Sequence, residues 1–220
     1  MRRRVFCEGK DDVTALREIL GRWFDGRMEE PIRMGSRSHP VSKHGAHTIE
    51  LVASGDRKKV FDDVARIGDY DSSDLDGVGV CFDPDRDDWQ VLVANRLDLI
   101  APDGRHVRVV PLPWQSDLAL VELELNEENL DRIASAICAR TSASWHPMVS
   151  RWATEARTAG AKVTWKTLTR LWNAILRDDT IDDGFFAQVV GGQLPAAKPH
   201  VEALLKHTQL WRGLDELTKP

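Results

Sequence analysis

Val5-Phe6-Cys7-Glu8-Gly9-Lys10-Asp11-Asp12 is the stretch from which the fold can be read. Val5 to Cys7 is a short apolar run of the kind that forms a buried strand, and Glu8 and Gly9 end it. Asp11 or Asp12 is placed to cap a helix in which Val13, Leu16, Ile19, Leu20 and Trp23 recur at helical spacing. Strand, carboxylate, tight turn and helix put Glu8 at the carboxyl end of a strand. In open α/β sheets that is where ligands bind.

A second stretch answers the first. Gly77-Val78-Gly79-Val80-Cys81-Phe82 reads as another buried strand and runs into Asp83-Pro84-Asp85. If the two strands are parallel neighbours, Glu8, Asp83 and Asp85 meet at one edge of the sheet. Three carboxylates together repel one another, so at neutral pH they need a cation or shared protons. Oxygen-only donors suit a hard ion, and Mg²⁺ typically takes one or two carboxylates with waters and substrate phosphates. Taken singly, each acid is better read as a polar strand end or helix cap; the three together favour a metal site.

Glu8-Gly9-x-x-Asp12 after a strand, followed by Asp83-x-Asp85 after a later strand, resembles the Toprim domain of topoisomerases, bacterial primases, small ribosomal RNA maturases and OLD-type nucleases. The resemblance covers roughly residues 3–115, and the wording Glu8-Gly9-Lys10-Asp11-Asp12 is most similar to stand-alone Toprim proteins related to OLD nucleases. It implies an α/β fold: a Rossmann-like, mostly parallel four-stranded sheet with helices on both faces. It also implies that Glu8, Asp83 and Asp85 carry Mg²⁺ or Mn²⁺, with Glu8 serving as ligand or general base. Further acids complete the site in some nuclease members, and Glu122, with Glu124 behind it, is the candidate here. Lys10 and Gly9, in the turn before the first helix, are the phosphate-binding candidates, since a helix N-terminus receives anions. The plain alternative for Lys10 is an exposed turn lysine.

Along the chain, Thr48–Ala53 reads as a second strand, Arg57–Ile67 as a helix, and His106–Pro111 as a fourth strand after a helix over Trp89–Leu99. This alternation of strands and helices argues for a parallel sheet. Residues 25–47 hold Gly26, Pro31, Gly35, Pro40 and Gly45 among Arg, Ser and His, and read as a long, locally basic loop. Leu120–Leu125 fits a strand or a helix start. From about residue 126 the chain reads as helical, so residues 1–118 form a Toprim-like domain and 119–220 a mainly helical extension. Trp152, Trp165 and Trp172 fall on apolar helical stripes and read as core; Trp145 and Met148 follow helical spacing with Trp152; Trp114 is placed near the site. His39, His44 and His47 are not at zinc spacing and read as surface residues.

The 220 residues fit one large domain, or one domain with an appendage, at about 100–200 residues per domain. A net charge of -5 provides no global basic footprint for nucleic acid, which counts against a simple DNA-coating protein. Three cysteines without a C-x-x-C pair argue against a zinc ribbon, and Cys7 and Cys81 read as small buried residues. No apolar run approaches the ~18 residues of a membrane span, so a cytoplasmic protein without a membrane partner is expected.

The resemblance implies divalent-metal-dependent, nuclease-type phosphodiester hydrolysis on DNA or RNA, in phage defence or nucleic-acid processing. No G-x-x-x-x-G-K-[ST] is present, so a separate ATPase partner is expected; a homodimer is expected if the C-terminal helices expose an apolar face. The alternative is a non-catalytic metal- or nucleotide-binding module that regulates a partner protein.

Overall fold

Four apolar runs become the parallel centre of a sheet, and the helices between them cover its two faces. The structure is a computed structural model that describes residues 2–34, 37–67, 75–84, 99–100, 106–116, 130–176, 185–190 and 195–219. The strands are β1 (Arg2–Cys7), β2 (Arg27–Met34), β3 (Arg37–His44), β4 (His47–Ala53), β5 (Leu75–Phe82), β6 (Leu99–Ile100) and β7 (His106–Pro113). They form a sheet in the order β2-β3-β4-β1-β5-β7-β6. β1 pairs in parallel with β4 and β5, and β5 in parallel with β7. The margins are antiparallel. The expected parallel strands are thus present, but the sheet has seven strands among the described residues rather than four.

Successive side chains of a strand point to opposite faces, and both faces of the central strands are apolar, as strands covered on both sides require. Val5, Cys7, Leu51 and Leu112 pack on one face with Leu16, Ile19 and Leu20 of helix α1 (Lys10–Trp23). Phe6, Val52, Val80 and Phe82 pack on the other with Val60, Phe61 and Val64 of α2 (Arg57–Ala65). The remaining helices are α3 (Leu130–Thr141), α4 (His146–Thr158), α5 (Trp165–Leu176), α6 (Phe185–Val190), α7 (Lys198–Leu205) and α8 (Gln209–Thr218). Ile133, Val149, Leu168, Val201 and Leu214 from these helices join the α1-side core. α8 comes closest: a Cβ on Gly213 would lie 2.5 Å from Leu112 Cδ2 and 2.8 Å from the Pro111 carbonyl. None of the described helices is long and apolar enough to cross a membrane.

Residues 25–47 correct the sequence reading. They form the antiparallel hairpin β2–β3, which extends the sheet beyond β4. The prolines that suggested a loop are tolerated where pairing lapses: β2 is the edge strand, and its register shifts between Glu29 and Ile32, around Pro31. The three histidines are buried rather than superficial. His44 bonds the Phe24 carbonyl through Nδ1 at 3.0 Å and Ser42 Oγ through Nε2 at 2.9 Å. Burial pushes its pKa down. His39 Nδ1 lies 3.4 Å from Glu50 Oε1, and Glu50 Oε2 accepts from Arg4 Nε at 2.8 Å. Leu99, expected at the end of a helix, instead pairs with β7, as does Ile100; the rest of that expected helix and Leu120–Leu125 lie outside the described residues.

Candidate active site at the strand ends

The chain runs from β1 to β4 on one side, and then through α2 to β5 on the other side of β1. The connections leave the sheet on opposite faces, so the carboxyl ends of β1 and β5 open at the point where the strand order reverses. That crevice is where open α/β sheets bind ligands. Cys7 and Cys81 are register partners, so the residues that follow them, Glu8 and Phe82-Asp83, emerge side by side.

Asp83 is held from three directions. Its amide donates to Glu8 Oε1 at 3.1 Å, its carbonyl accepts from an Arg57 guanidinium nitrogen at 3.1 Å, and its Oδ1 accepts from the Leu130 amide at 3.2 Å. The first residue of α2 and the first residue of α3 thus both reach Asp83. The Leu130 amide, at the start of the described part of α3, thus meets the Asp83 carboxylate. Glu8 is fixed in turn: its carbonyl accepts from Gly55 at 2.8 Å, and the Cys7 carbonyl accepts from Ser54 at 2.8 Å. Gly55 adopts φ +114, a backbone conformation that favours glycine, and so lets the β4–α2 turn fold back onto β1.

Asp12 stands behind this crevice. The N-cap of α1 is Gly9, not Asp11 or Asp12, and Asp12 Oδ2 reaches back to accept from the Gly9 amide at 2.7 Å. Its Oδ1 accepts from the indole of buried Trp114 at 2.7 Å. Burial pushes the Asp12 pKa up to about 6, against the lowering effect of the Gly9 and Trp114 hydrogen bonds. Trp114, placed near the site by sequence, is thus a buried strut that ties the end of β7 to the start of α1. No short-range signal links it to Asp12, which is 102 residues away. Burial also raises the pKa values of Cys7 and Cys81, which keeps both as protonated thiols within the core.

Lys10 begins α1 and is exposed. With Gly9, Val13, Thr14, Leu51 and Ser54 it lines a cavity of about 750 Å³ beside the turn that carries Glu8. Asp85 and Glu122 lie outside the described residues, and so does Glu124. Among the described residues no cluster of three or more His, Cys, Asp or Glu side chains is placed to hold a metal ion. What the structure brings together is therefore the Glu8–Asp83 pair.

No protein-family model and no curated protein matches this chain. Among solved structures, hypothetical protein PH0156 from Pyrococcus horikoshii OT3 has a similar fold, with a TM-score of 0.68 and 16% identity over 100% of both chains. At that identity the likeness is one of fold.

Proposed function

We propose that this chain is a Toprim-like hydrolase of nucleic-acid phosphodiesters that depends on a divalent metal and works at Glu8 and Asp83. The observation that supports the reading is the bond from the Asp83 backbone amide to Glu8 Oε1, which ties the Glu8 carboxylate to the residue that ends the neighbouring strand, at the topological switch of the sheet. The donor set fits a hard ion: both side chains offer only oxygen, and one or two carboxylates with waters and phosphates are what Mg²⁺ takes. A carboxylate offers about four lone-pair sites, so accepting an amide is compatible with taking a ligand. Glu8 and Asp83 would hold Mg²⁺ or Mn²⁺, with Asp85 as the next acid in sequence. When bound, the ion supplies charge neutralisation at the phosphate and a more acidic water.

The rest of the work falls to the chain. Glu8 accepts the proton of the attacking water at its carboxylate. Lys10 and the first turn of α1 bind a phosphate oxygen. Arg57, pinned to the Asp83 carbonyl, adds positive charge beside the two acids.

A second reading, a metal- or nucleotide-binding module without turnover, is favoured by the amide that each acid accepts: these bonds also serve as a strand link and a link to α3. Calorimetric Mn²⁺ titration beside a cleavage assay on mixed DNA and RNA separates the two. Asp83→Asn keeps a side-chain oxygen that can accept from the Leu130 amide while removing a ligand charge, so the fold should persist while Mn²⁺ binding and cleavage disappear. Glu8→Gln should retain part of the metal affinity and lose turnover. Wild-type protein that binds Mn²⁺ without cutting supports the module, and protein that does neither overturns both readings.

A further inference from the structure

Charge is segregated along this chain. Between residues 140 and 176 there are six basic residues, Arg140, Arg151, Arg157, Lys162, Lys166 and Arg170, against one acid, Glu155. That stretch is at +5, in a chain whose net charge is -5, so the remainder is at -10. All six basic side chains are exposed. They are carried by the end of α3, by α4, by the turn after it and by α5. Arg151 lies 3.9 Å from Glu155, and both are 73% exposed, so the pair is solvated and weak.

The same stretch corrects the reading of Trp152 as core, while Trp172 is buried as expected. Trp145, Met148 and Trp152 recur at the three- and four-residue spacing of one helix side, and they are 45%, 49% and 42% exposed. The neighbouring Val149 and Ala153 are the buried residues of α4. α4 therefore inserts a narrow apolar edge into the core and leaves two indoles half in water.

Exposed indoles interleaved with cations match one kind of ligand well. A single-stranded nucleic acid offers a phosphate at every step and unpaired bases whose faces stack on aromatic side chains. A duplex hides those faces. The location agrees: α3 starts on Asp83 through the Leu130 amide, spans 12 residues, about 18 Å, and ends four residues before Trp145. We infer that α4, the turn after it and α5 form a binding surface for single-stranded nucleic acid. This names the substrate class for the Glu8–Asp83 site and rests on that reading for its role, although binding itself needs no turnover.

The test is fluorescence anisotropy with a labelled oligothymidylate in EDTA at several salt concentrations. Wild-type protein should bind the single strand in preference to a duplex of equal length. Trp145→Ala with Trp152→Ala should weaken binding about tenfold or more, the usual effect of losing base stacking. Trp152→Phe should retain most of the affinity, and it keeps the test open if the double variant misfolds. Lys162→Gln, Lys166→Gln and Arg170→Gln together should flatten the slope of log affinity against log salt by about 2, at about 0.7 per phosphate contact.

Unchanged affinity in the tryptophan variants, a preference for duplex, or binding to an acidic peptide but not to the oligonucleotide overturns the inference. So does a wild-type dimer that dissociates in the double variant, because a second copy would then cover this face. Oligonucleotide binding as described, with no Mn²⁺-dependent cleavage, leaves the surface standing and removes the hydrolase. Cleavage with unaltered binding in the variants does the reverse.

Discussion

Asp12 should tie the stability of this protein to pH. Its carboxyl is buried, and its pKa rises from the ordinary 3.8 to about 6. The folded protein therefore holds the Asp12 proton more tightly than the unfolded chain does. The resulting stabilisation is complete below about pH 3.8 and is lost as the pH rises through about 6. At about 1.4 kcal/mol per tenfold in proton affinity, the full swing is about 3 kcal/mol. Asp12→Asn removes the titration but adds a fixed cost. Two N–H donors, from Gly9 and Trp114, converge on the two carboxylate oxygens, and an asparagine has only one oxygen to offer. One donor then faces an amide NH₂, at a cost of about 1–3 kcal/mol at every pH. Urea unfolding followed by far-UV circular dichroism, on wild type and Asp12→Asn, separates the two terms, because the titrations of the other groups cancel in the difference. The advantage of the wild type should shrink by about 2.5 kcal/mol between about pH 4 and about pH 7.5. Trp114→Phe, which removes a hydrogen bond that favours the ionised form, should move this transition to higher pH. A wild-type advantage that is constant with pH, or that grows with it, would refute the reasoning.

Two further perturbations probe the frame that carries the site. Gly213→Ala drives a methyl group against Leu112 and the Pro111 carbonyl, and the backbone contact cannot swing aside; chemical denaturation should show a loss of about 1–3 kcal/mol. Glu50→Ala leaves buried Arg4 without its carboxylate, so a loss of about 3–5 kcal/mol is expected by the same assay, and a near-neutral result would mean that water reaches Arg4.

The arrangement at Asp83 explains why one acid matters to both fold and site. Its amide, carbonyl and carboxylate engage β1, α2 and α3 in turn. The strand ends and two helix starts are therefore referenced to a single residue. A group so held loses little further freedom on taking a ligand, which is what a preorganised site requires.

Local pattern alone determined the parallel centre of this protein. The apolar runs that became β1, β4, β5 and β7, and the helical spacing in α1 and α2, are periodicities within short segments, so neighbours along the chain suffice to read them. Once those strands are parallel, Glu8 and Asp83 fall at the same edge, because every parallel strand ends on the same side. Tertiary structure decided the rest. Pro31 and Pro40 look like loop residues until edge position and a lapse in register make room for them. His39, His44 and His47 look superficial until the hairpin buries them. The stripe of α4 shows that Trp145, Met148 and Trp152 share a helix side, but periodicity identifies a face without saying what covers it. The bonds that shape the site, Glu8 to Asp83, Asp83 to Leu130 and Asp12 to Trp114, join residues 75, 47 and 102 positions apart. Such partners are chosen by the path of the chain through space, and only the assembled sheet and its helices bring them within a hydrogen bond's reach.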